Sequence, residues 1–307
     1  MSWGARAMRD LKRNKALYIM ILPVVAFYFI FNYIPMYGAT IAFKDYSPRL
    51  GIIGSPWVGF KHIIDFLTGP YFWRVFKNTL NISITSLIWG FPAPLILALL
   101  INELKSKAFT KISQTITYLP HFISLVVVCG MIRSFTMDTG FINDIVAFFG
   151  GTRVTMLNEK DYFVPVYVIS GIWQEVGWGS IIYLSALAGI DQELYEAARI
   201  DGAGRIRQTM HVTLPGILPT VVILLTLRIG GLVSVGYEKI ILLYNESNRE
   251  TADVISSFVY RRGLAAEGGA NQWSYSTAVG LFNSVINFAL IITANQISRK
   301  VNETSLW

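Results

Sequence analysis

The chain has 307 residues, 53% of them hydrophobic and 15% charged, with a formal net charge of +7. Soluble domains carry about 25% charged residues, so this composition excludes an ordinary water-soluble globular domain and points to an integral membrane protein. The basic balance has a plain source, because cytoplasmic loops of membrane proteins collect Lys and Arg. No basic patch interleaved with aromatics lies on a soluble module, so nucleic acid is not an expected partner.

In chain order, Arg6, Arg9, Lys12, Arg13 and Lys15 make residues 1–15 a basic N-terminus. Signal peptides also begin this way. The apolar run that follows continues to about Gly38 and ends in bulky Tyr33, Pro35, Met36 and Tyr37, without a small-residue cleavage site. A retained first span over 16–38 is expected. Residues 39–77 form a loop holding WVGFKHIIDFL, amphipathic enough to lie at the membrane interface. Further apolar runs of the roughly 20 residues a membrane helix needs lie at 78–101, 113–135, 163–188, 216–236 and 276–297. Residues 298–307 form a tail. The expected fold class is an all-α integral membrane protein with six transmembrane helices. Pro92, Pro94 and Pro120 are expected to kink spans two and three.

An even number of spans puts both termini on one side. The four segments on that side carry half of the Lys and Arg residues in much less chain than the three opposite. Density of positive charge therefore places both termini in the cytoplasm. The loop between spans four and five, 191–215, lies on the same side.

That loop contains EAARIDGAGRIRQTMHVTLP, Glu196 to Pro215. Asp191 is placed to cap a helix starting at Gln192. Ile190 and Tyr195 are placed to staple it, and Glu193 favours the positive end of its dipole. Gly202 follows at the position where a left-handed residue ends a helix. A helix over 192–201 results, with Leu194, Ala197, Ala198 and Asp201 on one face. A second short helix over Arg205 to Val212 is expected to end at Leu214-Pro215. An isolated helix of this length is marginal in water and gains from a partner's groove. A loop that folds on its own chain and binds nothing fits the same residues.

The segment resembles the EAA loop of binding-protein-dependent ABC importer permeases. In that family EAA is followed by three residues and Gly, then nine residues and Ile-x-Leu-Pro. Here Glu196-Ala197-Ala198 precedes Gly202 at that spacing, and Val212-Thr213-Leu214-Pro215 completes the pattern with Val for Ile. FWRVFKNTL from Phe72 is similar to the start of the transmembrane core in maltose-type sugar permeases. GYEKIILLYNESNRETADVISSFVYRRGL from Gly236, YSTAVGLFNSVINF from Tyr275 and the Leu306-Trp307 ending resemble permeases for lipo-oligosaccharide or complex-polysaccharide uptake.

The resemblance implies a transmembrane core over 78–297 in the bacterial cytoplasmic membrane. The helix at 192–201 becomes a coupling helix docked on a cytoplasmic ATPase subunit. Glu196 is its polar contact and Gly202 its turn, with Leu194, Ala197, Ala198, Asp201, Leu214 and Pro215 completing the coupling set. The implied partners are a second homologous permease, two ATPase subunits that bind ATP and Mg, an extracytoplasmic solute-binding protein, and an oligosaccharide ligand. The chain itself has no phosphate-binding G-x-x-x-x-G-K-[ST] loop. His62, His121 and His211 are scattered, without metal-ligand spacing. The single cysteine, Cys129, can form no intrachain disulfide. No catalytic residue, metal or cofactor is expected in this chain.

Charge at membrane depth is unfavourable by roughly 2.5–3.5 kcal/mol on insertion scales, and so needs a reason. Glu175 in span four and Arg228 in span five are expected to face the bundle interior, pairing with each other or lining the substrate path. Trp173, Gln174 and Trp178 surround Glu175, and aromatic faces beside amide and carboxylate groups suit sugar rings. Asn283 and Asn287, one turn apart in span six, bond either the ligand or another helix. Gly280 and Ser284 read as helix packing, and His121 as a satisfied residue at a kink. A non-sugar cargo such as glycerol phosphate stays open. So does an ion-coupled secondary transporter using Glu175 and Arg228 as its relay.

Overall fold

The structure, a computed structural model, describes residues 10–11, 13–266, 272–302 and 306. Arg6, Arg9, Lys12 and Trp307 lie outside the described residues. Among those described there is no β-strand, only an isolated bridge between Lys44 and Trp57. The longer helices, numbered in chain order, are α1 Lys15–Tyr28, α2 Lys61–Thr68, α3 Phe72–Gly90, α4 Pro92–Asn102, α5 Lys107–Tyr118, α6 Leu125–Thr136 and α7 Phe141–Phe148. They continue as α8 Phe163–Ala188, α9 Gln192–Ile200, α10 Leu214–Gly230, α11 Tyr237–Leu243, α12 Ile255–Gly263 and α13 Trp273–Asn302. The chain divides into two units, 1–67 with 262–281 and 68–261 with 282–307.

In the first unit, α1 continues through a π-helical turn, Phe29–Tyr33, and a 3-10 stretch, Tyr37–Phe43. Lys15–Phe43 is therefore one helical rod, longer than the expected 16–38. No residue of α1 is buried, as suits a helix whose own bonds satisfy its backbone and whose solvent is lipid. The interfacial stretch forms α2, with Phe66 buried against the Tyr275 ring and Lys61 and Asp65 exposed.

The second unit is built around α8, which packs against α3, α4, α5 and α10. Its glycines set how closely. A Cβ at Gly177 would lie 2.0 Å from the Thr117 carbonyl oxygen, and one at Gly179 would lie 3.0 Å from the Pro94 ring. Small residues permit such backbone approach between membrane helices. Gly177→Ala is expected to destabilise the folded subunit by about 1–3 kcal/mol, because backbone rather than a side-chain tip must move. Gly179→Ala, against a proline ring, is expected to be milder. Thermal midpoints of the two variants in detergent check the order, and equal midpoints would refute it.

Among the described residues, five stretches are long and apolar enough to cross a membrane: Lys15–Phe43, Phe72–Asn102, Leu125–Phe148, Arg205–Gly230 and Trp273–Lys300. The expected fourth span, 163–188, is α8 with the same limits. It is long enough but not among the five, because Gln174, Glu175 and its glycines dilute the apolar character.

The expected third span, 113–135, is not one helix. The chain leaves α5 through a 3-10 turn, Leu119–Phe122, and is extended at Ile123 and Ser124. Proline removes a helical N–H, and Ser124 then caps α6 by accepting from Val127 N. The apolar stretch lies further on, at Leu125–Phe148.

Leu214-Pro215 does not end a helix either. Arg205–Gln208 runs through a π-helical turn, Thr209–Thr213, into α10, with Pro215 in its first turn. The wider turn places the proline where a missing N–H is tolerated. At its other end α10 stops at Gly230, short of the expected 236.

Candidate functional site

The segment after α8 is built by local bonds. Asp191 accepts from Glu193 N at 3.0 Å, satisfying one of the helix's unpaired donors. Ile190 is buried, and Tyr195 packs against the same apolar cluster. At the other end Gly202 has φ +76°. Ala203 N donates to Ala198 O at 2.8 Å, and Gly202 N to Arg199 O at 3.0 Å. This pair of bonds is the Schellman closure, and only glycine enters it without strain.

α9 is also tied to the chain that follows it. Tyr195 Oη and Thr213 Oγ1 are 3.0 Å apart, and Gln208 Nε2 donates to Ala203 O at 2.7 Å. Gly216 lies where a Cβ would meet Ile190 at 3.0 Å. What remains outward is a mixed face. Leu194, Glu196, Ala197 and Asp201 are exposed and Ala198 is half-buried. Ile200 is 87% exposed and Ile206 81%. Leu214 is half-buried against the cluster, while Pro215 is exposed. Glu196 makes no hydrogen bond or ion pair among the described residues. Among the described residues this segment's ion pair joins Arg205 to Glu103 at 3.0 Å, both well exposed, so it adds little stability.

The second feature is a cavity of about 630 Å³ inside the second unit. That size falls within the range of small-molecule sites. Gln174, Glu175 and Trp178 of α8 line it with Arg228 of α10 and Lys239 of α11. The polar middle of α8 thus faces a cavity rather than lipid, which removes the objection to a carboxylate at that depth.

Glu175 and Arg228 share this cavity but do not pair. Glu175 Oε2 lies 3.0 Å from His121 Nδ1, and Arg228 makes no ion pair among the described residues. The other expected path residues lie off the cavity wall. Trp173 is 43% exposed. Asn287 accepts from Val233 N at 3.1 Å and donates to Ser234 Oγ at 2.7 Å, joining α13 to the chain after α10. Asn283 Oδ1 is buried with no hydrogen-bond partner among the described residues.

Two residues were given no site role from the sequence: Lys239, which lines the cavity, and His121, which was expected only as a satisfied residue at a kink. Lys239 falls in a polar stretch after the fifth apolar run, yet it is buried, with Nζ 2.9 Å from Tyr167 O and 4.7 Å from the Tyr167 ring centre. Burial pushes its ammonium down to about 8, opposed by the nearby Glu175 carboxylate. His121 sits in the 3-10 turn after Pro120, and its partner is 54 residues away. A histidine beside a proline inside an apolar run was the available signal.

Residues 90–303 match the family described as "Binding-protein-dependent transport system inner membrane component". The chain is 46% identical to Protein LplB of Bacillus subtilis (strain 168), over 99% of this chain and 95% of the relative. It is 44% identical to the polygalacturonan/rhamnogalacturonan transport system permease protein YteP of the same organism, over 98% and 93%. Among solved structures it resembles a chain of a bacterial ABC transporter involved in the import of the acidic polysaccharide alginate. That match has a TM-score of 0.88 and 43% identity, over 97% of this chain and 99% of that one. With a helical membrane fold, near full-length coverage and a family match across most of its length, the chain belongs to the binding-protein-dependent transport system inner membrane components, as a membrane-spanning transport subunit.

Proposed function

We propose that this chain is one permease subunit of an ATP-driven importer that moves oligosaccharides across the bacterial cytoplasmic membrane by alternating access. The observation that carries the reading is α9. It is a short helix closed by a cap at one end and a Schellman turn at the other, hydrogen-bonded to the start of the next span, with an exposed face that the chain itself does not cover. A rigid helix rooted in two spans transmits a pull. The relatives named above, for alginate and for polygalacturonan/rhamnogalacturonan, support a saccharide cargo.

In this reading α8, the fourth in chain order, brings the number of spans to six and is kept in the membrane by the helices packed around it. Both termini and α9 are cytoplasmic. α9 is the coupling helix, docked on one of two ATPase subunits that bind ATP and Mg, and Leu194, Glu196, Ala197, Ala198, Asp201 and Gly202 form its contact and turn. Leu214 and Pro215 anchor the following span. A second homologous permease completes the pathway, and an extracytoplasmic binding protein delivers the sugar. Gln174, Glu175, Trp178 and Arg228 border its route.

The test is uptake by the four-subunit complex in proteoliposomes with its binding protein. Maltopentaose, tetragalacturonate and alginate pentasaccharide are offered in turn, with ATP inside. ATP-dependent uptake of at least one is expected. Uptake that ignores ATP and follows a proton gradient, or that accepts none of the three, would overturn the reading.

A further inference from the structure

The apolar stretch Leu125–Phe148 is two helices, α6 and α7, joined by a reversal at Gly140. Gly140 N donates to Met137 O at 2.8 Å. A Cβ at Gly140 would collide with the carbonyl oxygens of Ser134 and Phe135. The chain doubles back against the end of α6, so α7 does not prolong that helix through the bilayer.

α7 is clamped by its polar residues. Asn143 is fully buried. Its Nδ2 donates to Met137 O at 2.6 Å and to Val154 O at 2.8 Å, and its Oδ1 accepts from Val154 N at 3.1 Å. Arg153 donates to Asp138 O at 3.1 Å and pairs with Asp144 at 2.7 Å. A buried amide satisfied on both its groups fixes the helix in one orientation.

The opposite side is apolar and bare. Phe141, Ile142, Ile145, Phe148 and Phe149 recur at helical spacing on one face. All are exposed, Phe148 at 84% and Phe149 at 81%. A helix on a water-soluble protein does the reverse, turning its apolar stripe to the core. An exposed apolar face of this kind marks a protein or a membrane contact.

Two observations select lipid. The stripe continues a surface that already suits lipid: Val126, Val127 and Phe135 of α6 are exposed, and the Phe135 and Phe141 rings meet at 6.4 Å. The stripe also consists of Phe and Ile alone, with no hydrogen-bonding group by which a protein partner would be recognised. The charges of Asp144 and Arg153 flank it, as on helices that lie in a membrane interface.

We propose that α7 is an interfacial anchor. It lies along the extracytoplasmic leaflet at the outer end of the third span, with acyl chains covering its Phe and Ile face. The leaflet follows from the cytoplasmic placing of both termini proposed above and rests on it.

The test uses the complex in vesicles of phosphatidylcholine and phosphatidylglycerol. Phe148→Cys, Ile145→Cys and Asp144→Cys are made separately with Cys129→Ser, in a complex otherwise free of reactive cysteines, and each carries a nitroxide. Power saturation with oxygen and a water-soluble nickel chelate reads their depth. The labels of Phe148→Cys and Ile145→Cys are expected about 5–10 Å below the lipid phosphates, and that of Asp144→Cys at the phosphates or above. Monodisperse elution checks assembly, and Phe149→Cys stands in for any stripe variant that fails to assemble. Stripe labels shielded from both reagents would mean that a protein subunit covers the face. Stripe labels open to the chelate until the binding protein is added would mean that this protein docks there. Either result overturns the anchor. An Asp144→Cys label that a membrane-impermeant reductant reaches only from the cytoplasmic side overturns the placing in the outer leaflet. Failure of the saccharide reading shows in wild-type uptake and not in these depths, so the two failures are distinct.

Discussion

Gly202→Val is expected to abolish ATP-driven uptake, by at least about ten-fold, while the subunit still inserts and assembles. The position has φ +76°, and a Cβ there would meet nothing within 4 Å. The loss is therefore one of backbone conformation, not of packing. A non-glycine residue in the left-handed region is unfavourable by roughly 1–2 kcal/mol, and a β-branched one is worse placed still. The Schellman bonds from Gly202 and Ala203 open, and the end of α9 is no longer fixed relative to the chain leading into α10. Glu196→Ala reaches the same outcome by another route. Glu196 has no hydrogen bond or ion pair within the described chain, so its removal breaks nothing internal. Any loss of uptake then belongs to an external contact. Uptake in vesicles, set against the amount of full-length subunit in the membrane, measures both. Wild-type rates in both variants would refute a coupling role for α9.

The second large effect is expected at Asp253, which is fully buried. Arg74 Nη2 reaches Oδ2 at 2.8 Å, and Arg261 Nη2 and Ser257 Oγ bond Oδ1. Asn78 Nδ2 donates to the carbonyls of Glu250 and Asp253, and Ile255 N donates to Thr79 Oγ1. Together these fasten the 250–255 turn to α3. Asp253→Ala leaves two guanidinium groups without their shared carboxylate. Removing one partner of a buried pair is unfavourable by about 3–5 kcal/mol. The midpoint for loss of the monodisperse complex on heating is expected to fall sharply, and an unchanged midpoint would refute the network's role. Arg74→Met with Asp253→Leu and Arg261→Met is expected to regain part of the loss, because no buried charge is then stranded.

The elements legible in the sequence share one property: each is decided within about ten residues. The Asp191 cap, the Ile190–Tyr195 staple and the Gly202 stop involve bonds between near neighbours in the chain, and the helix appears at 192–200 where the sequence predicts 192–201. The limits of α8 were legible for the same reason, from its apolar run. What failed was local inference applied to prolines. The same residue type ends a helix at Pro120 and is absorbed by a π-helical turn before Pro215. The difference lies in what surrounds each proline. Around Pro120, backbone meets backbone at Gly177, so the break is held in place from outside.

The cavity shows the other limit. Glu175 and Arg228 line one cavity, but the mutual pair that was one of the two arrangements expected for them does not form. His121, assigned to a kink, takes the carboxylate instead. Lys239, placed outside the apolar runs, turns back to the Tyr167 carbonyl. By itself the sequence determined that this chain crosses a membrane, that a short capped helix interrupts its spans, and that polar groups occupy the middle of α8. Those conclusions rest on composition, periodicity and bonds between near neighbours. Only the tertiary structure decided which polar groups meet, because His121 and Glu175 lie 54 residues apart and helix packing alone brings them within hydrogen-bonding distance.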